Sequence, residues 1–162
     1  MTTRVGFSTP KGFAPASWLV RKLTKSEWSH AFFVYFDQDW GADMVLEASA
    51  VGFRILPLEK YVKKNHCRLL VPAKPIDEGV KKVALTFVGD RFDYEGLLGM
   101  VVPVVGGWLK RKWRNPFRSA DKVFCSESVA LAARLSPGYL GGLPETDVTP
   151  QQLLEWFEAQ IA

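Results

Sequence analysis

The stretch SEWSHAFFVY, residues 26–35, decides how the rest of the chain is read. The apolar run AFFVY (31–35) describes a buried strand rich in aromatic residues. His30 stands at its mouth, and the chain has only one other histidine, His66. Two readings are open. His30 is a rim residue with a satisfied hydrogen bond, or the strand is a rigid mount that delivers an imidazole to a reactive group. The choice turns on what His30 has to work with.

Outward from this strand, DQDWGAD (37–43) carries turn chemistry and MVLEA (44–48) resumes as a strand, which together predict a hairpin. Val5–Ser8, Phe53–Leu56 and Cys67–Val71 predict further strands. Ala16–Leu23 predicts a short helix with Trp18, Leu19 and Leu23 facing inward. From Asp77 the period changes. Val80, Val83, Ala84, Phe87 and Val88 recur at helical spacing, and Gly89 marks the stop. Val123–Leu135 predicts another helix. The last helix has the best start signal: Thr149 as N-cap, Pro150 in first position and Gln152 as capping-box partner. Strands in the first half and helices mostly in the second predict an α+β fold.

Bulk properties bound the function. The 162 residues suit one domain, 1–162, and neither repeat nor linker divides them. A composition 48% apolar and 23% charged is that of a globular chain. A net charge of +4 permits an anionic partner without requiring one. No secretory signal or membrane span is visible, so the expected location is cytoplasmic. The most apolar stretch, 96–108, is interrupted by Gly and Pro103, and buried or lid-like packing is expected of it. Two cysteines, Cys67 and Cys125, imply neither a disulfide framework nor a zinc site.

Cys125 opens the segment CSESVALAARL (125–135) and falls in the first turn of its predicted helix. Free amide N–H groups and the helix dipole stabilise a thiolate there, and the same N–H groups suit an oxyanion beside it. The alternative is a structural cysteine, since Cys125, Val129, Ala132 and Ala133 share one helix face. Glu127, two residues on, projects away from that face. In the hairpin, Glu47 interrupts an apolar strand and is costly unless exposed or paired. One reading lays it beside His30 on one face, holding the imidazole's second nitrogen. The other leaves it at an exposed edge. Cys67 reads as a buried strand residue and His66 as a loop residue, and adjacent strand positions point to opposite faces.

Together, WSHAFFVY, VLEASAVGFRILPL, GDRFDYEGLL, FCSESVALAA and TPQQLL resemble the permuted NlpC-type papain-like amidases, the YiiX-like group, over most of the chain. The resemblance implies a circularly permuted papain-like core, an antiparallel sheet packed on helices. It implies Cys125 as nucleophile, His30 as base and Glu47 as the residue that orients it. It places Tyr94 of FDYEG, and more weakly Asp93, near the substrate, with Ser29 and Ser126 beside the reacting residues as further substrate contacts. The implied reaction is thiolate attack on an amide of a small peptide, cell-wall derived in one version, through a thioacyl-enzyme that water resolves, with no metal or organic cofactor.

Two other readings compete. Lecithin:retinol-acyltransferase-like proteins share this permuted core, so a lipid or thioester acyltransferase or thioesterase is the second. The stretch WLKRKWRNPFR, residues 108–118, interleaves cations with aromatics and suits an anionic membrane or cell-wall surface. A non-catalytic binding module is the third. A nucleic-acid partner is disfavoured, because a solvated basic loop explains 108–118 as well.

Overall fold

The computed structural model describes residues 2–49, 52–87, 125–139 and 148–161. Within them lie five strands, β1 (Arg4–Pro10), β2 (His30–Asp37), β3 (Ala42–Ser49), β4 (Gly52–Pro57) and β5 (Asn65–Leu70). There are also five helices, α1 (Pro15–Thr24), α2 (Leu58–Lys64), α3 (Asp77–Phe87), α4 (Cys125–Arg134) and α5 (Pro150–Ile161). The strands form one antiparallel sheet in the order β4-β3-β2-β1-β5, so the fold is α+β. Every strand expected from sequence is present. So is the turn chemistry of the hairpin: Asp37 Oδ1 accepts the N–H groups of Asp39 and Trp40, and Gly41 takes a positive φ of 59°.

Period-two alternation gives the sheet two different faces. One carries Val5, Phe7, Ala31, Phe33 and Leu46, which pack with Val80 and Val83 of α3, Val129 and Ala133 of α4, and Leu153 and Phe157 of α5. Phe7, Phe33 and Phe157 are fully buried there. Such side chains contribute about 1.5–3 kcal/mol each through burial. The other face carries Phe32, Val34 and Val45, covered by Tyr61 of α2. Gly6 sits beneath the Phe32 ring, and a Cβ there would lie 2.3 Å from it.

Helix packing on the larger face is equally close. A Cβ on Gly79 of α3 would meet the Ala132 carbonyl of α4 at 1.8 Å. The Gly79 N–H instead donates to Ser136 Oγ, which donates in turn to the Ala132 carbonyl. The capping box of α5 forms as its residues predict. The Gln152 N–H donates to Thr149 Oγ1 at 3.2 Å, and the Thr149 N–H to Gln152 Oε1 at 3.0 Å.

Three expectations are corrected. Helix α1 forms, but it turns Trp18 and Leu19 outward, 50% and 40% exposed, and buries none of its residues fully. Leu23 is only partly covered. Cys67 is half-buried rather than buried; β5 is an edge strand, and among the described residues α2 packs on that face. His66 lies within β5, exposed, and not in a loop. Helix α2 was not expected at all. Tyr94, Asp93, the apolar stretch 96–108 and the basic stretch 108–118 lie outside the described residues, as does Gly89. Among the described residues no helix is long and apolar enough to cross a membrane.

Candidate active site

The alternation that divides the sheet also assembles the site. His30 is the first residue of β2, so it stands at the end of the sheet on the face of Phe32 and Val34. Ser8 of β1 pairs with it, and Cys67 of β5 pairs with Ser8. On the other side, β3 register runs from Phe33↔Leu46 to Asp37↔Ala42. Continued toward the start of β2, that register sets Glu47 opposite Phe32, one step diagonal to His30. Diagonal neighbours on one face are within reach of long side chains. His30 Nε2 and Glu47 Oε2 are 2.6 Å apart.

Glu47 is no edge residue. Strand β3 lies inside the sheet, and Glu47 is 2% exposed. Its second oxygen is held by Arg54, its cross-strand partner on β4, with Nε at 2.7 Å and a terminal guanidinium nitrogen at 2.6 Å. Burial alone would raise the Glu47 pKa, but His30 and Arg54 outweigh it and hold the carboxyl below its ordinary range. Arg54 was not foreseen as part of the site. Its signal was the β3–β4 register, which fixes 54 opposite 47 only once the turn length is known.

Cys125 comes from the opposite layer. Helix α4 packs on the larger core through Val129, Ala132 and Ala133, and its first residue reaches the sheet end where β2 begins. Cys125 is 6% exposed, and its sulfur lies close enough to the His30 ring for the two to shift each other's protonation. Backbone N–H groups of Ala31 and Ser126 also point at the sulfur. Burial would raise the Cys125 pKa, yet the imidazolium and these N–H groups bring it below that of an ordinary thiol. The reciprocal effect is seen at His30. Burial would lower its pKa, but the Cys125 thiolate and the Glu47 carboxylate push it up to about 10. Both shifts run in the direction that favours a thiolate–imidazolium pair.

The ring is also held by packing. Phe32 stacks beside it with centroids 6.2 Å apart, and Tyr61 lies 4.7 Å from Phe32 on the far side. Tyr61 Oη and Ser8 Oγ form a buried hydrogen bond of 2.7 Å, and burial keeps the phenol neutral with a strongly raised pKa. Cys67 differs from Cys125 in kind: burial pushes its thiol up to about 11, against a smaller lowering influence of Lys11.

The hydroxyls of Ser29 and Ser126 turn into the fold. Ser29 Oγ bonds Ser17 Oγ of α1 at 2.7 Å and also reaches the Ser8 carbonyl. Ser126 Oγ donates to the Val148 carbonyl, which ties the start of α4 to the start of α5. It is the backbone N–H of Ser126 that meets the sulfur. An open groove of about 620 Å3 between α3 and the sheet, lined by Tyr35, Leu46, Val80 and Ala84, contains none of the three central residues. Compared with known proteins, the chain matches no family model and no curated protein.

Proposed function

We propose that the protein is a cysteine-dependent hydrolase acting on an amide bond of a small peptide, built on a circularly permuted papain-like core. The observation that carries this reading is the meeting of Cys125, His30 and Glu47, from α4, β2 and β3, with His30 bridging the other two. A cysteine placed only for packing has no use for an imidazole backed by a carboxylate and an arginine. The chain order His30, Glu47, Cys125 is the cyclic order of a papain-type site opened at a different point, and geometry rather than chain order defines such a site.

In the mechanism the Cys125 thiolate attacks the carbonyl carbon and forms a tetrahedral adduct. A backbone N–H at the start of α4 suits its oxyanion. The His30 imidazolium gives its proton to the leaving amine as the C–N bond breaks, leaving a thioacyl-enzyme and neutral imidazole. Neutral His30 then takes a proton from water, which attacks the thioester, releases the acid and restores the ion pair. Glu47 holds Nε2 throughout and stabilises the imidazolium.

The test is competitive alkylation with iodoacetamide at neutral pH, mapped by mass spectrometry. Cys67 serves as internal control. Cys125 should label first and Cys67 slowly. Preferential labelling of Cys67 in folded protein would falsify the assignment.

A further inference from the structure

The outward face of α1 is the feature the proposed chemistry leaves unused. Its helix is amphipathic in the wrong sense for a core helix. Trp18, Leu19 and Lys22 are exposed with Pro15 and Ala16, while the partly covered positions are Ser17, Val20, Arg21, Leu23 and Thr24. The inward polar groups are engaged or enclosed. Ser17 bonds Ser29, Thr24 Oγ1 donates to the Val20 carbonyl, and Arg21 Nε is buried with no hydrogen-bond partner among the described residues. Just before the helix, Phe13 is 85% exposed. A helix whose apolar side is turned to the outside is oriented for a second, apolar phase.

Charge names the phase. Residues 10–25 carry Lys11, Arg21, Lys22 and Lys25 and no acidic residue, the next being Glu27. Lys11 and Lys22 are exposed. Exposed aromatics among cations fit an anionic lipid surface, where Trp and Phe enter the headgroup boundary and lysines meet the phosphates. Cations alone would suit an acidic protein surface as well; their mixture with the exposed rings of Phe13 and Trp18 is what suits a bilayer boundary.

Position gives the arrangement its use. Helix α1 connects the end of β1 to the start of β2, so it sits at the same end of the sheet as His30. The Ser17–Ser29 bond joins it to the residue before His30.

We propose that α1 and the preceding loop, through Phe13, Trp18, Leu19 and Lys22, form an interfacial docking surface for an anionic bilayer, which holds the His30 end of the sheet against the lipid. The surface stands independently of the hydrolase reading.

The experiment is flotation of the full chain with vesicles of phosphatidylcholine alone or mixed with phosphatidylglycerol. Binding is expected to the mixed vesicles and to weaken with salt. Lys22→Glu should weaken it by more than the about fivefold expected of a lysine simply removed. Combined Phe13→Ser, Trp18→Ser and Leu19→Ser should weaken it by about tenfold or more, with Cys125 labelling of the folded variant in solution retained and the thermal midpoint lowered only modestly, since Phe13 is exposed and Trp18 and Leu19 are half-exposed. Cys125→Ser should float as wild type, so loss of chemistry and loss of docking are separate results. Three outcomes overturn the proposal. One is absence of binding to mixed vesicles. Another is full binding by the triple variant, which would move the contact elsewhere in the chain. The third is a dimer by sedimentation that the triple variant abolishes, which would make a second copy the occupant.

Discussion

The two faces of the sheet share strands and differ in almost everything else. On the α3–α4–α5 face, Val5, Phe7, Ala31, Phe33 and Leu46 contribute apolar burial, with Tyr35 packed at its border. On the α2 face the same strands contribute Ser8, His30 and Glu47, and β4 adds Arg54, around a smaller apolar cluster. Consecutive residues of β2 thus serve different ends: Phe33 anchors, while Phe32 steadies the ring of His30. One strand holds both because side chains alternate, and the rigid face fixes the backbone from which the polar face is aimed.

The largest expected effect separates the faces outright. Phe33→Ala should lower stability by about 3–5 kcal/mol, seen as a reduced midpoint in urea. Its Cys125 labelling should fall only in proportion to the unfolded fraction. If labelling vanished while the protein stayed folded, the division of labour would be wrong.

His30→Ala tests the other face. Without the imidazolium, Cys125 returns toward an ordinary thiol, whose thiolate fraction at neutral pH is a few per cent. Its alkylation rate should drop about thirtyfold, on the ratio of those thiolate fractions. A wild-type rate in the folded variant would return His30 to the status of a rim residue.

Glu47→Gln keeps shape and one acceptor but leaves Arg54 without its counter-charge. The rate loss should be smaller than for His30→Ala, about tenfold at neutral pH. A shifted pH profile is the distinguishing readout. In the wild type, alkylation should rise at a pH below that of an ordinary thiol and hold a plateau until His30 deprotonates near pH 10. Stability should follow the same window. The His30 contribution is complete below its ordinary value of 6.5 and fades as pH rises through about 10. The Glu47 contribution is complete above the ordinary carboxyl value and fades as pH falls through its depressed one. Denaturation midpoints across pH check both limbs.

The smallest effect belongs to Arg54→Met. Its side chain is 48% exposed and its guanidinium is partly screened, so the rate should fall only a few-fold. Restoration of the profile by Arg54→Lys would mark the role as charge, and failure to restore it would mark the two-nitrogen grip.

These contrasts explain what was legible in sequence. The capping box of α5 and the turn of the β2–β3 hairpin are local, and Thr149, Gln152, Asp37 and Gly41 announce them without reference to anything distant. His30, Glu47 and Cys125 were legible as residues because an isolated polar group in an apolar run is conspicuous. Their meeting was not fixed by spacing, since Glu47 stands diagonal to His30 rather than beside it. Helix α2 escaped because its apolar stripe, Leu58, Tyr61 and Val62, lies within only seven residues, too short for a period to stand out. The sequence of α1 predicts its helix with Trp18 and Leu19 inward, whereas the structure turns them outward. Periodicity states that a helix has an apolar side and is silent on what that side meets.

The contact at Gly79 sets a tolerance for the whole arrangement. Two backbones touch there with no side chain between them, so α4 has no slack on that side. Ala132 and Cys125 are seven residues apart on one stiff rod, and a push at the first is delivered at the second about 10 Å away. Any side chain at position 79 would act as a wedge under a lever, shifting the sulfur against an imidazole that Phe32 and Glu47 keep still. Residue 79 touches none of the reacting groups, yet it gauges the depth to which the nucleophile is set.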